Sequence, residues 1–343
     1  MKIYKIAVDE NIFIKDEICT AGSKMLYNFK SPYSATVVDK IKNAGMTISC
    51  KSKTGEFGSE TKGETAAYMV KIGSADAALG IDVDGGAYRT AIENDIVYIK
   101  PTYGTVSRFG VVANVSSVDQ IGVYADNFDD GFTVLSLIAG HDKNDGTCYP
   151  TEKYNYSVDG IDVKSLKSVK FDDIDFKYSD CLAQVYLIIS SAEFSNNISR
   201  FDGIKYGYRT GNYRNLNELT ASSRSESFTS ETKLKSLMGT YVLSEKQFDK
   251  YYYKATQIRR LIKQELDKIF KQADFVMLPV YTSLVNSPQE YYNKLKFAAL
   301  ANLTGCPSIT VPVSNQCGVQ IIAKEFDENK LFAIGKSLLR GGI

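Results

Sequence analysis

Ser34-Ala35-Thr36-Val37-Val38-Asp39-Lys40-Ile41-Lys42-Asn43-Ala44-Gly45-Met46-Thr47-Ile48-Ser49-Cys50-Lys51 joins two periodicities. Val37, Val38, Ile41 and Ala44 fall on one face of a helix, for which Ser34 is the expected N-cap and Gly45 the C-terminal stop. Met46 to Lys51 follows directly as a strand. Outward from this unit, Ile3 to Val8 reads as the first strand, and Glu64 to Ile72 (helix) with Asp76 to Ile81 (strand) repeats the theme. Asn127 to Ala139 is a further helix before the loop holding His141. The polar stretch Tyr149 to Val169 reads as an internal loop, not a domain linker. In the C-terminal half Ser244 and Gln247 have the spacing of a capping box. Phe248, Tyr252, Ala255, Ile258, Ile262, Leu266 and Ile269 then recur at helical spacing. A strand at Phe275 to Leu278, a helix at Glu290 to Leu303, strands at Ser308 to Val313 and Gly318 to Ile322, and a helix at Glu328 to Leu339 complete the pattern. Strands in both halves predict one continuous sheet covered by helices, in a single α/β domain over 1–343.

A chain of 343 residues can bury roughly three quarters of its unfolded surface, so a large core is available. The charges, 41 basic against 40 acidic, give no global basic field for nucleic acid. No apolar run approaches the ~20 residues of a membrane span. Charges break the apolar runs of the N-terminus, as they would not in a signal peptide. Six scattered cysteines without a paired spacing suit reduced thiols in the cytoplasm, and one histidine, His141, cannot build a histidine metal site. Catalysis would have to rest on Lys, Ser, Tyr or carboxylates, with no metal and no cofactor expected.

Several ordered segments stand out: Thr20 to Leu26 with Ser31 to Val38, Lys100-Pro101-Thr102-Tyr103-Gly104 to Gly110, Ser116 to Gly122, Ile138 to Asp142, Ser199 to Arg209, Gly239 to Ser244, and Ala301-Asn302-Leu303-Thr304-Gly305-Cys306-Pro307. Together they resemble the amidase signature family, in particular its branch of tRNA amidotransferase A subunits, glutamyl-tRNA(Gln) or aspartyl-tRNA(Asn). The resemblance implies a mixed, mostly parallel central sheet flanked by helices. It also implies amide hydrolysis by a serine nucleophile, a second serine in a cis peptide and a lysine base, with a glycine-rich loop as oxyanion hole. In the amidotransferases ammonia from glutamine passes to a partner subunit that uses ATP to activate misacylated tRNA.

Carried over residue by residue, Lys51 in Ser49 to Gly58 takes the place of the base, so a buried, site-facing lysine is expected. The serines are missing. Lys62 occupies the cis-serine position, and in Asp82-Val83-Asp84-Gly85-Gly86-Ala87-Tyr88-Arg89 the nucleophile's place falls on Ala87, or on Gly86 in a gapless register. Asp84, Gly85 and Gly86 stand for the oxyanion loop. Members of such a constellation act as a unit, so Lys51 alone should retain almost nothing. Lys51, Lys62 and Asp84 are expected to fill the vacated site as an ion cluster. Cys50 points to the opposite strand face from Lys51 and is read as packing.

Other departures concern the substrate. Ser223-Arg224-Ser225-Glu226-Ser227-Phe228-Thr229 carries side chains where the family has glycines, Leu295 stands near the place of a substrate-binding aspartate, and Lys235 replaces an arginine. Tyr88, Arg89, Arg200, Asp202, Tyr206 and Arg224 are read as pocket or partner-facing. Against the family, the chain lacks the N-terminal helical segment and a strand-helix unit near 150–169. Three readings follow. The favoured one is a pseudo-amidase acting as a scaffold or regulatory subunit beside a B-subunit-like protein and a small C subunit, touching tRNA only indirectly. The second is an active glutamine-dependent amidase or amidotransferase subunit. The third is a sensor of a small carboxylate.

Overall fold

The computed structural model describes residues 2–59, 63–150, 156–281, 288–314 and 317–339. Nine strands form one sheet: β1 Lys5–Asp9, β2 Thr47–Ser52, β3 Ala77–Asp82, β4 Val97–Lys100, β5 Gln120–Ala125, β6 Ser168–Lys170, β7 Phe275–Tyr281, β8 Ser308–Ser314 and β9 Cys317–Ala323, ordered β2-β1-β3-β5-β4-β8-β9-β7-β6. Among the described residues ten α-helices accompany them: α1 Thr36–Asn43, α2 Ala66–Lys71, α3 Gly86–Glu93, α4 Phe128–Ile138, α5 Leu182–Ile198, α6 Leu216–Ser227, α7 Ser230–Leu243, α8 Lys254–Ile269, α9 Pro288–Thr304 and α10 Glu328–Leu339.

The mixed, helix-flanked sheet agrees with the sequence reading, but its parallel majority does not. Among the described residues β1–β2, β1–β3 and β6–β7 are parallel, while β3–β5, β4–β5, β4–β8, β7–β9 and β8–β9 are antiparallel. The connection from Ser314 to Cys317 is far too short for a crossover, which needs a dozen or more residues, so β8 and β9 must run antiparallel.

Strand alternation sends Ile6 and Val8 to one face and Ala7 to the other. One face packs under α1, α4 and α10, where the stacked rings of Phe132 and Phe332, 4.5 Å apart, tie α10 to α4. The other face is covered by α2 and α3 through Ala66, Ala67, Val70, Tyr88 and Ala91.

Two expected caps fall elsewhere. Ala35 is the N-cap of α1, and the Ser34 hydroxyl instead accepts the Lys15 amide. Ser244 ends α7, donating to the Tyr241 carbonyl, and the next helix starts with a π turn at Asp249–Tyr253. A Ser-x-x-Gln spacing fits either end of a helix, and the tertiary path selects which.

Candidate functional site

β3 ends at Asp82, and the chain turns through Val83, Asp84 and Gly85 into α3. Gly85 has φ +82°, and a Cβ there would lie 2.3 Å from the Cβ of Ala298, so no side chain fits. The turn is held from below by buried charge. Asp82 accepts the Ala87 amide (3.3 Å) and the Asn302 Nδ2 (2.9 Å), which also donates to the Val83 carbonyl (2.7 Å). Asn302 Oδ1 accepts the ammonium of Lys100 (2.5 Å), and the Tyr88 hydroxyl lies 3.4 Å from the same oxygen and 3.3 Å from Ser308 Oγ. Lys100 and Asp82 are fully buried. Burial lowers Lys100 to about 8 and raises Asp82, in each case against the attraction of the other charge.

Two of the turn's amides are already engaged. Asp84 Oδ1 accepts the Gly86 amide at 3.0 Å, as Asp82 Oδ1 accepts that of Ala87. A carboxylate therefore occupies each of these donors where an oxyanion would need them free. Asp84 also faces the Arg89 guanidinium at 3.8 Å.

Two cavities meet at this turn. The first, about 30 Å³, is lined by Asp9, Ser59, Thr65, Asp84, Gly86 and Thr90 and has room for a water or two. Asp9 ends β1, accepts Ser52 Oγ (2.6 Å) and the Ile81 amide (3.3 Å), and is pushed up to about 7 by burial against those bonds. Thr65 caps α2 and Thr90 Oγ donates to the Gly86 carbonyl (2.8 Å), which leaves the Ser59 hydroxyl without a bond among the described residues. The second cavity, about 60 Å³, shares Ser59 and Asp84 and adds Glu56, Asn114, Ser190, Thr232 and Lys235. Lys235 is half-buried, and desolvation lowers its pKa against the nearby Asp84, Asp119 and Glu231. Its ammonium has Asn114 Oδ1 at 3.2 Å and the Phe194 ring at 4.6 Å. Glu56 is tied to Ser23 Oγ (2.6 Å) and to the amide (3.0 Å) and hydroxyl (2.5 Å) of Thr229.

The structure gathers Asp84, Gly85, Gly86, Ala87, Tyr88 and Arg89 around the turn but places Lys51 elsewhere. Lys51 is partly exposed, donates to the Ile18 carbonyl (3.0 Å) and lines neither cavity. Among the described residues Lys51 and Asp84 form no ion pair; Lys62, the third member of the expected cluster, lies outside those residues. The physical reason is register. On β2, Lys51 pairs with Val8 of β1 and shares its face of the sheet, whereas Ser52, the next residue, pairs with Asp9 and bonds it beside the turn. Arg200 bonds the Asn197 carbonyl (2.7 Å), Asp202 the Ile204 amide (2.8 Å), and Arg224 the Ile198 and Phe201 carbonyls (2.8 and 2.9 Å). These three hold their own loop together, while Tyr206 packs on Phe29 and keeps an exposed edge.

Sequence reasoning passed over Asp9 and the Lys100–Asn302–Asp82 chain. An acid closing the run Lys5-Ile6-Ala7-Val8, and a lysine closing Val97-Tyr98-Ile99, were the available signals, because charges at strand ends of a buried sheet need partners.

The fold and this glycine turn at a strand end define an amidase-type architecture, and the Amidase family profile matches residues 5–70, 63–170 and 160–332. The chain belongs to the Amidase family. It is similar to the A subunit of the glutamyl-tRNA(Gln) amidotransferase of Lactobacillus johnsonii, 33% identical over 398 aligned positions that cover 98% of this chain and 83% of that one. The corresponding protein of Carboxydothermus hydrogenoformans is 33% identical, over 94% of this chain and 81% of its own. The crystal structure of the Thermotoga maritima protein of the same name superposes with a TM-score of 0.70 at 26% identity, covering 98% and 83% of the two chains. Among the described residues no helix is long and apolar enough to cross a membrane.

Proposed function

We propose that this chain is a non-hydrolysing relative of the amidotransferase A subunit, serving as a scaffold or regulatory subunit in a tRNA-amidotransferase-type complex. One observation carries the reading. Positions 86 and 87 hold Gly and Ala, and their amides are bonded to the carboxylates of Asp84 and Asp82. With no hydroxyl or thiol at 86 or 87, and with the Gly86 and Ala87 amides already held by carboxylates, the turn lacks the nucleophile and two of the free donors that acyl transfer would use there. Similarity to proteins named as a subunit supports a protein partner, for which a B-subunit-like chain is the candidate. Six unpaired thiols suit the reducing cytoplasm as its compartment.

The test is ammonia release from glutamine and simple amides, alone and with a B-subunit-like partner. No turnover above buffer is expected, and Ala87→Ser is expected to restore none, because Asp84 and Asp82 still fill the donors. Turnover by the unaltered chain that disappears in Ser59→Ala would overturn the reading.

A second reading, a small-carboxylate sensor, is favoured by Lys235. A largely desolvated ammonium with one neutral acceptor beside a cavity has unused donors that a carboxylate would fill. At a hundred times its Kd such a ligand should raise Tm by about 4 °C. Lys235→Met is expected to abolish the shift, and a shift that survives it places the ligand elsewhere.

A further inference from the structure

We propose that the outward face of α8 docks the backbone of double-stranded RNA. α8 buries Ala255, Ile262 and Leu266 against the domain. On the opposite side, within a strip about 120° wide at 3.6 residues per turn, stand Lys254, Gln257, Arg260, Gln264, Lys268 and Lys271, all exposed. Leu261 lies among them, and Lys250 in the preceding π turn extends the row. From Lys250 to Lys271 the row runs about 30 Å at 1.5 Å per residue.

The strip carries no acid of its own. Glu265 and Asp267 sit on its two flanks, bound to Lys268 (2.8 Å) and Lys263 (2.5 Å). Lys250, Lys254, Arg260 and Lys271 have no acidic partner among the described residues, although acids nearly equal bases in the chain as a whole. The balanced total thus hides a one-signed row, because the nearest acids, Asp249, Glu265 and Asp267, stand beside the strip and not in it. Like charges at helical spacing repel one another, a cost that a polyanion reverses through counterion release.

Two features select duplex RNA over other polyanions. The strip is the convex side of a helix, suited to running along phosphates and unable to enclose a base. Gln257 and Gln264 interleave amides, each donor and acceptor, with the cations, which matches phosphates alternating with 2′-hydroxyls in a shallow minor groove.

The test is fluorescence anisotropy of the full chain with a short labelled RNA duplex. Four phosphate contacts predict a roughly 100-fold fall in affinity between about 50 and 200 mM salt. The triple variant Lys250→Glu, Lys254→Glu, Arg260→Glu should lose at least about tenfold in affinity and most of the salt slope. The equal charge change at exposed Lys15, Lys42 and Lys143 should change little. Gln257→Leu with Gln264→Leu should narrow the preference for RNA over DNA of the same sequence while leaving the salt slope. No binding at low salt, equal loss in the two triple variants, equal affinity for the DNA duplex, or binding to phosphatidylserine vesicles without RNA binding would each overturn the proposal.

Discussion

Asp82→Ala is expected to destabilise the fold by about 3–5 kcal/mol, the cost of leaving a buried charge without its counterion. Lys100 is fully buried, and its charge is balanced through the amide of Asn302 by Asp82, 2.5 Å and 2.9 Å along the chain of contacts. Removing the carboxylate strands the ammonium, orphans the Ala87 amide and frees the turn that Asn302 clamps at the Val83 carbonyl. Lys100→Met is expected to cost a comparable amount, since in each single variant burial favours the neutral form of the stranded partner. The double variant Asp82→Ala with Lys100→Met should lose well under the sum of the single losses, since it leaves no uncompensated charge. Urea unfolding of the four proteins measures this cycle, and strictly additive losses would show that the two charges are not coupled.

The second large effect concerns pH. Burial raises Asp9 from the ordinary 3.8 to about 7, against the Ser52 and Ile81 hydrogen bonds and the minor pull of Lys51. Between about pH 4 and 7 the folded state therefore holds a proton that the unfolded chain has released, and stability falls as pH rises through this window. The full displacement corresponds to about 4 kcal/mol, with a local slope of up to about 1.4 kcal/mol per pH unit. Asp9→Asn retains a shape that can bond Ser52 and Ile81 but does not titrate. It should match the parent near pH 4 and exceed it by several kcal/mol near pH 8. A stability difference between the two that does not change with pH would refute a buried, proton-holding Asp9. Other buried acids, Asp82, Asp119 and Glu328, are raised as well, so the difference between the two proteins is the quantity to read.

Much of the framework was readable locally. The helix and strand of 34–51 form nearly as expected, as α1 and β2, and α10 spans Glu328–Leu339 as the spacing of its apolar residues predicts. The turn 82–89 was legible as the place of chemistry, because glycines after a buried strand mark a close backbone approach, and Gly85 meets Ala298 there. The role of Lys51 was not. Its segment resembles the family's, but which residue of β2 meets the turn is a matter of pairing register, and that residue is Ser52, bonded to Asp9, while Lys51 lies on the other face.

The sequence by itself determined the elements, the family resemblance and the absence of a nucleophile at 86 and 87, because periodicity and side-chain identity are local facts. Only the tertiary structure decided that Asp9, not Lys51, faces the turn, that Asp82 and Asp84 occupy two of its amides, and that Lys100 answers Asp82 through Asn302. Those are contacts between residues far apart in the chain, such as Lys100 and Asn302, and sheet order and burial select them where no local pattern can.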